Sequence, residues 1–563
     1  MTSRTRPRTS TGWSLKAAEG RIIRTCDRLS VIVPALAIAL AIATPAWADR
    51  GTDDLAAYAR ARAADGDGRV ELAAAAYAAA LAGSPNNGAI ARRTYREALE
   101  AGDDALVDRA ILAMERAGDP APPDVAVLGY ARALRAGDAA GAKAQLAKIG
   151  TGPFDFVAGL LAAWQTYDAG GDPLAQLDEA RSNPVARRYI AENRALLQIA
   201  TGKTDEGFLG LQALLGADQA SLDLRVNAAQ LLAAKGKGDV ARKLLVGNDP
   251  TIVALRGSLG AGVQPSAAFG ASRLFTRLAS DLAQGDPTPL TISLSRAALR
   301  LDPGDDRARI LLAQTLARGA VTERALTTLA EIGEASPFRQ AALELRIAIL
   351  ADAGRKSEAL AAATPLSARK DATSEDATRL GALLVANERF DDAAKAYRAA
   401  IARAGAQAPW TLYLQLGGAL DQAGHWPEAR AALEKAVAME PDAAVALNYL
   451  GYARIEHGED VAGSLAMLER ASMLQPDQPS ITDSLAWAYF RNGDAARALP
   501  LLQRAAQGEP GNATIHEHLG DALWSLGRRY EARYAWRAAA IVADADDGAR
   551  LSGKIAHGTR AAP

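Results

Sequence analysis

Five histidines, His425, His457, His516, His518 and His557, all lie beyond residue 420. Imidazole is the commonest side chain for proton transfer at neutral pH and for metal ligation, so these residues are the first candidates for chemistry. His516 and His518 are two apart, whereas a helical metal pair needs a spacing of three or four. They are read as polar surface or groove residues, and no metal site is expected. Gly202-Lys203-Thr204 has the ending of a phosphate-binding loop. Such a loop needs a glycine five residues before Gly202, and Leu197 stands there. No Gly-x-Ser-x-Gly elbow or His-Glu-x-x-His helix occurs. The single cysteine, Cys26, excludes an internal disulfide and a cysteine metal cluster. Carboxylates are spread as on any solvated helical surface. No catalytic residue and no cofactor are expected, and the chain is read as a non-enzyme. The aromatic residues are less evenly placed: Trp410, Trp426, Trp487, Trp524 and Trp536 all follow residue 400.

These side chains are carried by an alanine-rich chain. About 130 of the 563 residues are Ala, hydrophobic residues make up 49% and aromatics 5%. Alanine is the best helix former and lets helices approach closely, so an all-α protein of many small helices is expected. Lys+Arg 64 against Asp+Glu 65 gives a net charge of -1, which lacks the basic excess of a nucleic-acid-binding protein.

Residues 1–30 carry six Arg and one Lys against Glu19 and Asp27, a net of +5, and residues 31–48 carry no charge. The run ends at Ala46-Trp47-Ala48, a small-x-small cleavage pattern. Residues 1–48 are therefore expected to be a secretory signal cleaved near Ala48, leaving a periplasmic or secreted, thiol-free chain of net charge -6. The alternative is an inner-membrane anchor formed by residues 31–48, a run close to the ~20 residues that span a bilayer.

From Asp49 onward one period recurs. With Pro479 as position 1, Leu485, Ala486, Tyr489, Gly493, Ala498, Leu502, Ala505 and Pro510 fall at positions 7, 8, 11, 15, 20, 24, 27 and 32. Leu519, Gly520, Leu523, Gly527, Ala532, Trp536 and Ala539 repeat the same register from Ala513, and Leu416, Gly417, Leu420, Gly424, Ala429, Leu433, Ala436 and Pro441 precede it. Small residues at 8 and 20 permit a close helix crossing, bulky ones at 7, 11 and 24 fill its sides, and Pro at 32 ends the second helix. This pattern resembles the tetratricopeptide repeat, a helix–turn–helix unit of about 34 residues. Weaker copies begin with Ala61, Gly68, Ala73 and Tyr77, and about fourteen units fill the chain. The resemblance implies an all-α superhelical solenoid whose units bury their faces on one another. An N-terminal array is expected over 49–246, an irregular loop or distorted repeat over 247–271, a C-terminal array over 272–540, and a capping helix and tail over 541–563.

In this repeat family, positions 5, 9, 12 and 13 of the first helix line a concave groove. Carried onto the last three repeats, they give Asn448, Tyr452 and Glu456; Asp483, Trp487, Phe490 and Arg491; and Glu517, Asp521 and Trp524. Aromatic anchors in a concave surface are common binding hot spots, although the same rings could serve only to pack successive repeats. Acids at Asp483 and Glu517 disfavour an acidic peptide tail and favour an apolar or basic segment. The segment Trp410 to Ala540 is similar to the C-terminal part of exported tetratricopeptide-repeat proteins of Gram-negative bacteria. The expectation is a scaffold or adaptor in the cell envelope, holding a protein or peptide partner in its groove, with no nucleic acid bound. The alternative is a regulatory or assembly subunit of an envelope polysaccharide-synthesis or secretion complex. The oligomeric state is left open.

Overall fold

The computed structural model describes residues 50–179, 186–216, 219–283, 285 and 289–559. The expected signal segment 1–48 lies outside the described residues. Among the described residues, thirty α-helices run from Arg50–Gly66 to Ala545–His557, and no strand occurs. No helix there is long and apolar enough to cross a membrane. The chain divides into two compact units, one ending at Arg355 and the other running from Lys356.

In the C-terminal unit, antiparallel pairs follow in order: Ser374–Ala386 with Phe390–Ala404, Trp410–Gln422 with Trp426–Met439, Ala444–Glu456 with Val461–Leu474, Pro479–Arg491 with Ala495–Gly508, and Ala513–Ser525 with Arg529–Val542. The caps are local. Thr373 and Asp376 form a capping box, and the Asp494 and Asn512 side chains accept from Arg497 N and Ile515 N. The crossings follow the register read from the sequence. A Cβ on Gly417 would lie 2.6 Å from Leu433, and one on Gly520 would lie 2.3 Å from the Trp536 indole. Ala498, Leu502 and Trp536 are fully buried. We expect Ala498→Leu to overpack its crossing and cost about 1–3 kcal/mol, measured as a lower denaturation midpoint. An unchanged midpoint would count against this register.

The tail begins later than its apolar residues suggest. Ile541 and Val542 still belong to the Arg529–Val542 helix and are exposed, and the closing helix is Ala545–His557. Leu551 of that helix is buried against Leu523 and Trp536, with Ile555 beside it.

The N-terminal unit starts in the same way, with Tyr77 fully buried in the first pair. The Gly202-Lys203-Thr204 triplet sits at a repeat turn, where Gly202 has φ +89° and Thr204 opens a helix. The segment 247–271, expected to be an irregular loop or distorted repeat, contains the helix Pro250–Gly257 and the first turn of the helix Ala267–Leu282. The hairpin of Ala267–Leu282 and Pro289–Leu301 folds back on the first helices of earlier pairs, among them Gly88–Ala101, Asp124–Arg135 and Asp155–Asp168. The Gly, Ala and Ser content that reads as a loop is here the demand of close packing. A Cβ on Gly270 would lie 2.1 Å from the Trp164 ring, and Ser272 Oγ donates to Ala298 O at 3.1 Å.

This hairpin is pinned by charge as well as by packing. Arg273 ion-pairs with Asp302 (2.7 Å) and Asp305. Arg277 pairs with Asp281 and, at 3.4 Å, with Glu192. Arg296 donates to Leu99 O (3.0 Å) and Glu100 O (2.9 Å), and Arg300 pairs with Asp104. Asp168 accepts from Ala267 N at 2.9 Å. The hairpin therefore covers the first helices of these earlier pairs.

Candidate partner-binding groove

The first helices Ala444–Glu456, Pro479–Arg491 and Ala513–Ser525 present most of the sequence-derived row together. Trp487 stands at its centre. Its ring stacks on His518 at 3.9 Å with a 13° interplanar angle, and on Phe490 at 5.0 Å. Its Nε1 donates to Glu456 at 2.7 Å, and Arg491 Nη1 donates to the same carboxylate at 3.2 Å. The Arg491 guanidinium also lies 5.7 Å from the Trp487 ring centre. Trp487 and Phe490 remain half-buried, whereas Asn448, Tyr452 and Asp483 are buried. Asn448 Oδ1 is buried and accepts no hydrogen bond from the described residues. The Tyr452 ring lies 6.4 Å from His518, and its hydroxyl is held well above the usual range by burial and by the carboxylates of Glu456, Asp483 and Glu517.

His518 is where the sequence reading needs correction. The spacing places it on the surface or in the groove, but it is buried and its Nδ1 is 2.9 Å from Asp483 Oδ2. Burial opposes a charge on the ring. The Asp483 carboxylate outweighs it, with Asp521 and Glu456 adding, so the ring is held above its ordinary value. Two further histidines meet an aspartate of the preceding repeat: His425 with Asp391 and His457 with Asp421, both at 2.8 Å. His457 also stacks on Trp426 at 4.1 Å. The signal that could have found these pairs is an acid and a histidine one repeat apart, not a spacing within one helix. Among the described residues His516 has no such partner, and its Nε2 is 3.0 Å from Pro510 O. Among the described residues no group of three or more His, Cys, Asp or Glu could hold a metal ion.

Glu517, Asp521 and Trp524 have a different setting, because the closing helix lies across them. Arg550 makes two bonds to Glu517, one at 2.7 Å, and Lys554 Nζ is 2.6 Å from both Glu517 and Asp521. Burial alone would raise the Glu517 carboxyl, but Arg550 and Lys554 lower it to about 2. Trp524 Nε1 donates to Thr559 O at 3.0 Å, its ring packs on Trp536, and a Cβ on Gly558 would lie 1.9 Å from it. These three residues meet the chain's own tail. Arg550 and Lys554 do the holding, and sequence reasoning did not single them out.

The N-terminal unit has two cavities beside its hairpin. One, of about 80 Å³, is lined by Glu192, Gln230, Arg273, Arg277 and Asp305, among others. The other, of about 190 Å³, lies between the first pairs and the Pro289–Val321 region and includes Asp65, Glu97 and Glu100. Glu97 is 1% exposed, and burial with the nearby Glu100 and Asp65 raises its carboxyl to about 7.

Stacked antiparallel helix pairs, with Gly or Ala at each crossing and a glycine at most turns, define an α-helical repeat protein. The period and the residues at positions 8, 20, 24 and 27 are those of the tetratricopeptide repeat. The chain matches no protein-family model. It is similar to a tetratricopeptide-repeat-containing protein of Pseudomonas aeruginosa, 36% identical over 85 residues, which is 15% of this chain and 14% of that one. Among solved structures it is similar to MamA (21% identity, 31% of this chain and 96% of that chain, TM-score 0.25). It is also similar to a thermophilic repeat protein of Thermus thermophilus (21% identity, 33% of this chain and 100% of that chain, TM-score 0.30).

Proposed function

We propose that the chain is a non-enzymatic protein–protein interaction scaffold that works in the cell envelope after export, and that it takes its partner in the groove of the C-terminal unit. The observation that supports this is the contrast between the two units. In the N-terminal unit the helices Ala267–Leu282 and Pro289–Leu301 pack over the first helices of earlier pairs, whereas the Trp487–Phe490 stack, flanked by Glu456 and Arg491, stays half-exposed. Aromatic and arginine side chains of this kind dominate binding energy where they become fully desolvated. With Glu517, Asp521 and Trp524 under the closing helix, the open site narrows to Glu456, Trp487, Phe490 and Arg491, with Tyr452 buried beneath them. Its aromatic centre favours an apolar segment.

The test is photocrosslinking from position 487 in intact cells, followed by mass spectrometry of the adduct. One recurrent partner should appear. Trp487→Ala with Phe490→Ala should lower its capture at least about tenfold, a loss of ~1.4 kcal/mol or more, while the far-ultraviolet helical signal is kept. Undiminished capture would sink the groove. Copurification with an inner-membrane complex would instead identify the chain as a subunit of a synthesis or secretion assembly.

A further inference from the structure

The outer face of the last repeat departs from the three repeats before it. Take Leu433, Leu468, Leu502 and Trp536 as position 24. Positions 18, 22 and 29 of the three preceding second helices are then Pro427, Ala431 and Ala438; Ala462, Ala466 and Met473; and Ala496, Pro500 and Gln507. In Arg529–Val542 they are Tyr530, Tyr534 and Ile541, exposed at 84%, 68% and 83%. Packing does not ask for these rings, because the buried side of that helix is Ala532, Ala535, Trp536 and Ala539. They form a row at helical spacing about 16 Å long.

The charge beside the row is one-sided. Arg529, Arg533 and Arg537 have no carboxylate partner among the described residues. Arg529 and Arg533 lie over the Trp524 ring at 5.4 and 5.1 Å, and Arg537 lies 5.6 Å from the Tyr534 ring. The acids nearby are engaged: Glu531 with Arg528, Asp547 with Arg550, and Asp544 as the cap of the closing helix. Elsewhere in this unit Arg389, Arg398, Arg430, Arg454, Arg470 and Arg491 each pair with a carboxylate, while Arg403, Arg497 and Arg504 bond to hydroxyls or carbonyls and stand apart from one another.

We propose that this face docks an acidic amphipathic helix of a partner protein, its apolar side on Tyr530, Tyr534 and Ile541 and its carboxylates on Arg529 and Arg537. The site is separate from the concave groove, so a scaffold with both could hold two proteins at once. Tyr and Arg are among the side chains enriched in protein hot spots, and the row is matched in length by about three turns of a second helix.

The experiment uses the full chain and a fluorescent helical peptide with leucines on one face and glutamates flanking them. Binding is read as anisotropy, beside a lysine version of the peptide and vesicles of phosphatidylglycerol. The glutamate peptide should bind and the lysine version should not. Tyr530→Ala with Tyr534→Ala, and separately Arg537→Glu, should each weaken binding about tenfold or more. These residues are exposed, so the fold should be unaffected. Equal binding by the double variant would overturn the proposal, as would no binding of the glutamate peptide. So would Tyr-dependent capture of vesicles without the peptide, or a Tyr-dependent dimer in light scattering that leaves peptide binding unchanged.

Discussion

Replacing Arg273 with Ala is expected to destabilise the N-terminal unit by about 3–5 kcal/mol, because it removes one side of a buried ion pair. Arg273 is 9% exposed and ties the Ala267–Leu282 helix to Asp302 and Asp305 of the next turn. Asp305 is itself buried. It also accepts from Thr276 Oγ1 at 3.2 Å and caps the following helix through Ala308 N at 3.1 Å. Without the guanidinium those two neutral donors remain against a full buried charge. Lys at 273 should recover little, since an ammonium cannot present two bonds in the fork geometry that Asp302 and Asp305 receive. Arg273→Met together with Asp305→Asn should recover most of the loss. It removes both charges, and the Asn keeps the cap.

The readout is residue-resolved hydrogen exchange rather than one melting temperature, because two units need not unfold together. Protection should fall across residues 267–301 and in the helices beneath, such as Asp124–Arg135, and stay unchanged beyond Lys356. Loss confined to the hairpin, with the earlier pairs still protected, would mean that the hairpin is an accessory. Loss of both would make it the core of the unit. A fall below about 1 kcal/mol would contradict the ion-pair argument.

The repeat itself was legible because its signal is local and redundant. Gly417, Gly451 and Gly520 occupy one register, and each sits where a Cβ would meet the facing helix within 3 Å. The hairpin was not legible. Its partners lie far away along the chain, as with Arg296 on Leu99 and Ala267 on Asp168, and its small residues mean loop and close packing equally well. The groove was legible in part. Helical spacing brought Tyr452, Trp487, Phe490 and Arg491 onto one face. Nothing in the spacing says which tail residues fold over Glu517 and Asp521, since Arg550 and Lys554 reach them only after a further helix has formed. His518 escaped because its partner Asp483 is one repeat away, whereas metal and ion-pair spacings are sought within a helix.

That Asp483–His518 pair gives the second large effect, one whose size depends on pH. The ring is faced by Asp483 from the preceding first helix, by Glu456 and Tyr452 from the one before, and by Asp521 from its own. Trp487 covers its face. Held above its ordinary value, His518 binds its proton more tightly in the folded chain than in the unfolded one. That stabilisation is complete below the unfolded value of about 6.5 and disappears as pH rises through the folded value. Asp483→Asn keeps the shape and removes the carboxylate. Burial is then opposed only by Asp521 and Glu456, the ring loses the largest influence that raised it, and the variant should lose less stability than the parent as pH rises. Near pH 6 the variant should be less stable by about 3–5 kcal/mol, the cost of stranding one member of a buried pair. The gap should narrow steadily toward pH 9. The measurement is the difference between parent and variant in urea unfolding of the C-terminal unit, followed by exchange of the Pro479–Ser525 amides across that range. Subtracting the parent removes the contribution of other titrating groups, such as Glu97 in the N-terminal unit. A pH-independent difference would mean that the pair is held by packing of His518 on Trp487 and not by charge. His518→Gln in the Asp483→Asn background should then cost as much as it does in the parent.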